Sequence, residues 1–183
     1  CRPVYLLTFG VKVNQCETNA MAAGFATLGV LQTPDPQTAD IIVVNSCTVT
    51  ASGDSRVLTA VRKLRAAAPD AFLVVCGCLP QTRPDIAALC PEADYLCGTT
   101  DRAMLPAHVL AALAAPERAS RCAVSPYVPG TPFEAIPQAP FGDKTRGFLK
   151  IQDGCDRFCT YCIIPFARGR SRSLPLETLQ EEA

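Results

Sequence analysis

The sequence predicts an α/β fold in which helices cover both faces of a parallel sheet. In residues 1–115, short apolar runs of strand length alternate with longer segments whose apolar residues recur at helical spacing. Strands and helices that alternate in this way build parallel sheets, because each helix carries the chain back to the beginning of the next strand. The pattern does not fix the order of the strands.

The predicted elements follow one another along residues 1–115, which we expect to form one domain. The first strand covers 4–9, and the first helix covers 16–28, with Met21 and Phe25 on one face. The remaining elements alternate as a strand at 41–45, a helix at 52–67, a strand at 72–76, a short helix at 85–89, a strand at 93–97 and a helix at 101–114 that is capped by Asp101.

A second domain follows a linker. Residues 116–140 contain six prolines and no apolar period, which is typical of a linker or an extended strap. The second domain is expected at 141–183, with a strand that opens at Arg146 and a helix after Pro175. Since the chain begins at Cys1 rather than methionine and ends inside that helix, we expect it to be a fragment of a longer protein.

Composition narrows the class of protein. Apolar residues make up 49% of the chain, enough for a sizeable core, and no apolar run reaches the ~18 residues of a membrane span. The first residues lack the apolar region and cleavage site of a signal peptide. Eleven cysteines without such a signal indicate a reducing cytoplasm, where thiols serve metal binding rather than disulfides.

Charge is balanced over the whole chain but basic near its end. Residues 141–173 contain seven Lys or Arg against three Asp. Such a patch suits a phosphate-rich partner such as nucleic acid. It equally suits a solvated face, or counter-charges for an anionic cofactor. The basic residues are Lys144, Arg146, Lys150, Arg157, Arg168, Arg170 and Arg172.

Three cysteines at CxxxCxxC spacing, Cys155, Cys159 and Cys162, carry the strongest functional signal. A four-iron cluster takes thiolate ligands, usually four of them, so a loop with three leaves one iron open to a small molecule. Zinc sites use paired cysteine or histidine spacings with four ligands, and His108 is the only histidine in the sequence. A disulfide framework needs an oxidising compartment.

Two further thiols, Cys47 and Cys78, follow the second and third predicted strands. The carboxyl ends of parallel strands lie at one edge of the sheet, where ligands bind. The two thiols are therefore able to meet in space and to bind a metal. The alternative is that each is a small apolar core residue, which is common for cysteine.

The cysteine loop, with Tyr161 just before its last thiol, resembles the loop of radical S-adenosylmethionine (SAM) enzymes. A wider set of segments resembles the methylthiotransferase family within that superfamily, and the match covers nearly the whole chain. It is most similar to the members that methylthiolate N6-threonylcarbamoyladenosine at tRNA position 37. The segments are TFGVKVNQ at 8–15, NSCTVT at 45–50, GC at 77–78 and GCDRFCTYCIIPFARGR at 154–170.

The resemblance implies two 4Fe–4S clusters and SAM as cofactors. The three loop cysteines would hold one cluster, with Tyr161 beside the SAM adenine, and Cys47 and Cys78 would hold an auxiliary cluster. Residues 141–183 would be the first βα unit of a radical-SAM barrel. The implied partners are the anticodon loop of tRNA and an electron donor such as flavodoxin or ferredoxin, in the cytoplasm and with no role for a membrane.

One departure from the family pattern concerns the auxiliary cluster. The family's first auxiliary cysteine falls in a Gly-Cys-Lys segment, and this chain has Val11 at that position. Because valine cannot bind iron, the auxiliary site keeps Cys47 and Cys78 and loses one ligand. The nearby thiols that would have to replace it are Cys16 and Cys76.

The implied reaction replaces an adenine C–H bond by C–S–CH₃, which no side-chain base can achieve, so the cofactors carry the chemistry. SAM cleavage yields a radical that takes the hydrogen, the auxiliary cluster supplies sulfur, and a second SAM supplies the methyl group. Arg168, Arg170 and Arg172 would hold RNA phosphates.

Two alternatives to this function remain. One is methylthiolation of another substrate, either isopentenyladenosine in tRNA or a ribosomal protein. The other is a non-catalytic iron–sulfur or zinc module, an interpretation to which Val11 lends weight. Since the 183 residues lack most of a barrel, we expect the isolated chain to be inactive.

Overall fold

A computed structural model describes residues 2–48, 50–115, 121–128, 130–136 and 148–182. Its central strands are β1 (Val4–Thr8), β2 (Ile41–Ser46), β3 (Phe72–Gly77), β4 (Tyr95–Cys97) and β5 (Arg121–Ala123). They form one sheet in the order β1-β2-β3-β4-β5, and every neighbouring pair is parallel. The predicted α/β class with a parallel sheet is confirmed.

Helices follow the strands, and a short ribbon flanks the cysteine loop. The ribbon pairs β6 (Gln152–Asp153) with β7 (Arg172–Ser173) in antiparallel fashion. The helices are α1 (Lys12–Thr27), α2 (Ala51–Ala67), α3 (Cys78–Thr82), α4 (Ile86–Leu89), α5 (Leu105–Ala114), α6 (Ile164–Arg168) and α7 (Leu176–Glu182). Across the described ranges, none of them is both long and apolar enough to span a membrane.

The sheet is buried on both faces, as the continuous apolar runs of its strands require. Alternate residues of β2 point to opposite faces of the sheet. Ile42 and Val44 pack in the apolar cluster that contains α2, whereas Ile41 and Val43 pack in the apolar cluster that contains α1 and α5. Every residue of β2 and β3 is buried. The carboxyl ends of these two strands therefore emerge from a rigid core.

Two helices begin four residues away from their predicted starts. α1 starts at Lys12 rather than at Cys16, because Val11 is extended and the chain turns into the helix directly after it. α5 starts at Leu105, so the predicted cap by Asp101 is wrong. Asp101 has φ 55°, in the left-handed region that a short polar side chain tolerates, and Met104 directly precedes the helix.

β5 and α3 are among the elements that the sequence pattern did not indicate. β5 lies within the proline-rich segment and extends the sheet beside β4. α3 begins directly after β3, so Cys78 opens a short helix. The strand predicted at Arg146, the start of the second domain at 141, and parts of the proposed linker lie outside the described residues.

Candidate metal centres and a buried ion network

The three cysteines of the CxxxCxxC motif lie on one loop between β6 and α6. Cys155 and Cys162 are half-buried, and Cys159 is exposed. The backbone N–H of Cys155 donates to the carbonyl oxygen of Gly169 at 3.1 Å, which closes the loop at its base. Phe158 adopts φ 46°, and this left-handed residue turns the chain between the first two thiols.

Gly154 allows the start of the cysteine loop to lie against the backbone of Gly169 and Arg170. Its φ is 78°, and a Cβ atom at this position would overlap the carbonyl oxygen of Arg170. Only glycine combines this backbone conformation with such a close contact. The loop therefore has a defined base, and Cys159 is its exposed cysteine.

The loop fits a three-thiolate cluster by its donor chemistry. Thiolates are the ligands that iron–sulfur clusters take, and three of them lie within eight residues of accessible loop. In the part of the chain that the structure describes, no three Cys, His, Asp or Glu side chains are already gathered around one point. The thiols thus share a loop without their sulfurs converging, and their role as ligands stays a prediction.

Tyr161, predicted to pack beside SAM, is 90% exposed. This exposure argues against a packing role within the described chain. Neighbouring aromatic rings form a small exposed group instead: the rings of Phe158 and Phe166 meet edge to face with centroids 6.1 Å apart, and the guanidinium of Arg170 lies 4.7 Å from the Phe158 centroid. The placement of Tyr161 by SAM stays a prediction.

Cys47 and Cys78 meet at the carboxyl edge of the sheet. Cys47 follows β2, and Cys78 begins α3 directly after β3. The hydrogen bond between the two thiols, together with burial, raises the pKa of Cys78 far above its ordinary value. The structure thus brings these two sequence-predicted residues together, although they are separated along the chain by helix α2 and strand β3.

Val11 lies at the same edge. It lines a surface cavity of about 380 Å³ together with Cys47, Gly10 and Arg56. Gly10, with φ 110°, lies so close that an added Cβ would be 2.7 Å from the Cβ of Cys47. Val11 itself is 61% exposed. The position at which the resemblance predicts a third ligand therefore lies in the same cavity as Cys47, and its side chain is an isopropyl group instead of a thiol.

Neither of the two nearby thiols is placed to replace the missing ligand. Cys16 is buried in α1, and its thiol donates to the carbonyl oxygen of Phe148 at 3.7 Å. Cys76 is buried in β3 and shares a hydrogen bond with Cys97 of the neighbouring strand. The described residues therefore do not fit a three-thiolate auxiliary cluster.

A buried ion network lies beside these thiols, and it was not predicted from the sequence. Glu17 of α1 is completely buried. Its carboxylate accepts hydrogen bonds from Arg102, from Lys150 at 2.9 Å and from Arg168 at 2.9 Å. A signal was present in the sequence, because Glu17 stands at helical spacing with the apolar stripe of Met21.

Asp153 is the second carboxylate of the network. It accepts from Lys150 at 2.7 Å and from Arg168 at 3.0 Å, and Arg172 lies 3.8 Å away. Burial disfavours the ionised form of both carboxylates, but the surrounding cations outweigh it and hold the pKa of Glu17 and of Asp153 below the ordinary carboxyl range. Both are therefore ionised at neutral pH.

Positive charge exceeds negative charge in this network, because four cationic side chains surround two carboxylates. Within the described residues, the Nε and Nη2 atoms of Arg102 and the Nε atom of Arg172 are buried without a hydrogen-bond partner. Arg168 and Arg102 also act on Cys78, where they oppose the rise of its pKa. The network thus reaches from α1 to the thiol pair.

Among the described basic residues near the cysteine loop, some are buried, so these residues do not form one exposed patch. Lys150 and Arg168 are each only 6% exposed. The prediction that Arg168 holds an RNA phosphate is wrong, because Glu17 and Asp153 occupy its guanidinium. Arg170 is the exposed member of the three arginines predicted for this role, with 70% of its side chain accessible.

Residues 3–98 match the protein family described as "Uncharacterized protein family UPF0004". The chain is 38% identical over 176 residues to Threonylcarbamoyladenosine tRNA methylthiotransferase MtaB of Bacillus subtilis (strain 168), covering 96% of this chain and 39% of the relative. It is 32% identical over 194 residues to tRNA-2-methylthio-N(6)-dimethylallyladenosine synthase of Bacillus pumilus (strain SAFR-032), covering 98% and 36%.

A third relative is named for a protein substrate. The chain is 34% identical over 191 residues to Ribosomal protein uS12 methylthiotransferase RimO of Desulfosudis oleivorans (strain DSM 6200 / JCM 39069 / Hxd3), covering 98% of this chain and 41% of the relative. The chain thus spans about two fifths of the length of these relatives. They have methylthiotransfer in common and differ in the substrate that each name gives.

Proposed function

Because the chain belongs to the UPF0004 family, and its relatives are named methylthiotransferases, we propose that the full-length protein is a radical-SAM methylthiotransferase. Here the full-length protein means this chain continued to the length of those relatives. We assign it N6-threonylcarbamoyladenosine at tRNA position 37 as substrate. The observation that carries the proposal is the accessible CxxxCxxC loop next to a UPF0004 domain.

Cys155, Cys159 and Cys162 are the residues that would hold a 4Fe–4S cluster. Bound there with SAM, the cluster supplies one-electron chemistry that cleaves SAM to a carbon radical. The chain's own contribution is to hold the loop: Gly154 permits its sharp turn, and the Cys155 N–H fixes its base to Gly169. The aromatic residues near the thiols, including Tyr161, offer surface for the SAM adenine.

Support for a tRNA substrate comes from names and from exposed charge. Two of the three relatives described above are named for tRNA modification. Arg157, within the cysteine loop, and Arg170, shortly after it, are exposed and suit contacts to phosphate. An anticodon loop suits such a site because its bases can be splayed out of the stack. The proposal includes a cytoplasmic location and a flavodoxin or ferredoxin as electron donor.

The described residues do not support sulfur insertion, because Val11, Cys47 and Cys78 provide only two thiols at the auxiliary position. This observation favours a second candidate function, an iron–sulfur protein that binds SAM and transfers no sulfur. The two candidates share the Cys155 loop and differ in their products.

The test is an anaerobic assay of the full-length protein with SAM, a reductant and tRNA bearing N6-threonylcarbamoyladenosine. Formation of 5′-deoxyadenosine together with 2-methylthiolated nucleoside supports the proposal. Formation of 5′-deoxyadenosine alone supports the second candidate. A Cys159→Ala variant is the control and should form neither product. Product on isopentenyladenosine tRNA or on ribosomal protein, and none on the proposed substrate, would contradict the substrate assignment.

A further inference from the structure

The Glu17 carboxylate binds cationic side chains from three distant parts of the chain. Its partners Arg102, Lys150 and Arg168 are separated from it by 85, 133 and 151 residues, respectively. All four side chains are nearly or completely buried. A carboxylate at this depth persists only when it is paired and hydrogen-bonded, so these three segments are held together at one point.

The same network holds both ends of the cysteine loop. At its start, Asp153 lies two residues before Cys155 and binds Lys150 and Arg168. At its end, Arg168 binds Glu17, and the next residue, Gly169, accepts the hydrogen bond from the Cys155 N–H. The loop between these points carries all three thiols of the motif.

The network also faces the thiol pair at the sheet edge. Helix α3, which begins at Cys78, packs against helix α6, which ends at Arg168. The hydroxyl of Thr99, two residues after β4, donates to the carbonyl oxygen of Ala167 at 2.6 Å. The α3–α6 packing and the Thr99 hydrogen bond therefore tie the end of the cysteine loop to the Cys78 segment, and the contacts of Arg168 tie the same end of the loop to Glu17.

A role in stability alone does not account for this arrangement. Buried ion pairs add little net stability compared with apolar side chains of the same volume, and fixing one geometry is their better-attested use. The surplus of cations and the unpartnered atoms of Arg102 make the network a costly way to stabilise a fold.

We propose that Glu17 is a positioning residue for the Cys155–Cys159–Cys162 loop, fixing the loop relative to the Cys47–Cys78 pair. This inference rests on the proposed function for its catalytic consequence, although its geometric part does not need it. The described hydrogen bonds of the Glu17 carboxylate go to cationic side chains and not to the loop thiols, so Glu17 acts through Arg168, Lys150 and Asp153.

The first experiment needs no cofactor. Hydrogen exchange in the full-length protein is compared between wild type, Glu17→Gln and Glu92→Gln, which removes a carboxylate from a partly exposed ion pair with Arg62. Faster exchange in Glu17→Gln for peptides that span 154–169, with β2 peptides unchanged, supports the proposal. Unchanged exchange in 154–169 would overturn it, whether or not the protein shows activity.

The second experiment measures 5′-deoxyadenosine formation and the electron paramagnetic resonance of the reduced cluster with and without SAM. Misplacement of a reacting group by about 1 Å costs on the order of 10²-fold in rate, so we expect a drop of that size in Glu17→Gln, with iron content kept. Glu17→Asp should recover part of the rate. If wild type cleaves no SAM, the proposed function fails, and the exchange experiment still decides the inference.

A compensated variant covers the case in which Glu17→Gln folds poorly. Glu17→Gln combined with Arg102→Met restores the original balance of charge in the network. A positioning role is supported if this double variant has the thermal stability of wild type but still cleaves SAM slowly and still shows a cluster resonance that differs from wild type. Recovery of both stability and the wild-type resonance would show that Glu17 acts only through net charge, and the proposal would be rejected.

Discussion

Replacing Val11 by cysteine should complete an iron site beside the Cys47–Cys78 pair. Val11 is 61% exposed and lines the same cavity as Cys47, whose thiol contacts Cys78. The substitution therefore adds a third thiol at the edge of an existing pair and removes little buried apolar surface. Since Val11 precedes α1 with no side-chain cap of its own, the helix loses no hydrogen bond.

The expected magnitude follows from counting ligands at this edge. Two thiols with Val11 leave a four-iron cluster short of half of its usual four ligands, whereas three thiols match the set offered by the Cys155 loop. We therefore expect less than about one iron per chain at the auxiliary site with Val11, and about four iron and four sulfide with Val11→Cys.

The assay isolates this site by working in a background with Cys155, Cys159 and Cys162 replaced by alanine. Iron and acid-labile sulfide are counted after anaerobic reconstitution of the full-length protein, in parallel with the ultraviolet–visible spectrum. Val11→Ser is the matched control, because serine has nearly the size of cysteine and offers a hydroxyl instead of a thiol.

A full complement of about four iron in the Val11 background protein would refute the reasoning. Cys16 or Cys76 would then have left its observed hydrogen bond, and replacing each by serine would identify which one. An equal gain of iron with Val11→Ser would refute it as well, since a thiolate would not be needed.

Three further outcomes follow from the described contacts. Glu17 and Asp153 have lowered pKa values, so their contribution to stability is present above about pH 4 and should fade as the pH falls towards their folded-state pKa values. Denaturant unfolding at a series of acidic pH values should show this decline. The same decline in Glu17→Gln would contradict the part assigned to Glu17. Burial raises the pKa of Cys90 from 9.0 to about 11, so the neutral thiol makes its full contribution to the free energy of unfolding below pH 9. This contribution is lost as the pH rises through about 11. Chemical denaturation at alkaline pH should therefore show a smaller decline for Cys90→Ala than for wild type. Gly154→Ala should lower the free energy of unfolding by about 1–2 kcal/mol through the left-handed backbone alone, and by more through overlap with the neighbouring backbone. Gly130→Ala is the control, because Gly130 also has a positive φ but has open space around it, so only the backbone part should be lost. Equal losses for the two variants in denaturant unfolding would contradict the close contact at Gly154.

The sequence was sufficient for the sheet because its inner strands are apolar on both faces. The runs at β2 and β3 indicate strands buried on both sides, and the structure places them at the centre. β5 was missed because Arg121, Cys122 and Ala123 show no apolar run; the strand exists through its pairing with β4. Such a short edge strand depends on tertiary contact rather than on its own pattern.

The thiol pair was predictable, whereas the sequence signalled only the burial of Glu17 and not the partners of its ion network. Cys47 and Cys78 stand at equivalent places after two neighbouring strands, so parallel topology alone brings them to one edge. The partners of Glu17 come from residues far apart in the sequence, and an arginine or lysine gives no local sign that it will be buried. Arg168 was therefore assigned to RNA although it faces inward.

The sharing of one carboxylate by three cations limits how this chain is able to vary. Loss of Glu17 alone would leave like charges facing one another in the interior, and loss of Arg168 alone would leave both carboxylates with fewer partners. Substitutions at these sites are tolerable mainly in matched pairs, so helix α1 and the segments on either side of the cysteine loop must evolve together. A domain taken from one relative and joined to the loop of another would keep its fold and lose this fit wherever the two differ at these positions.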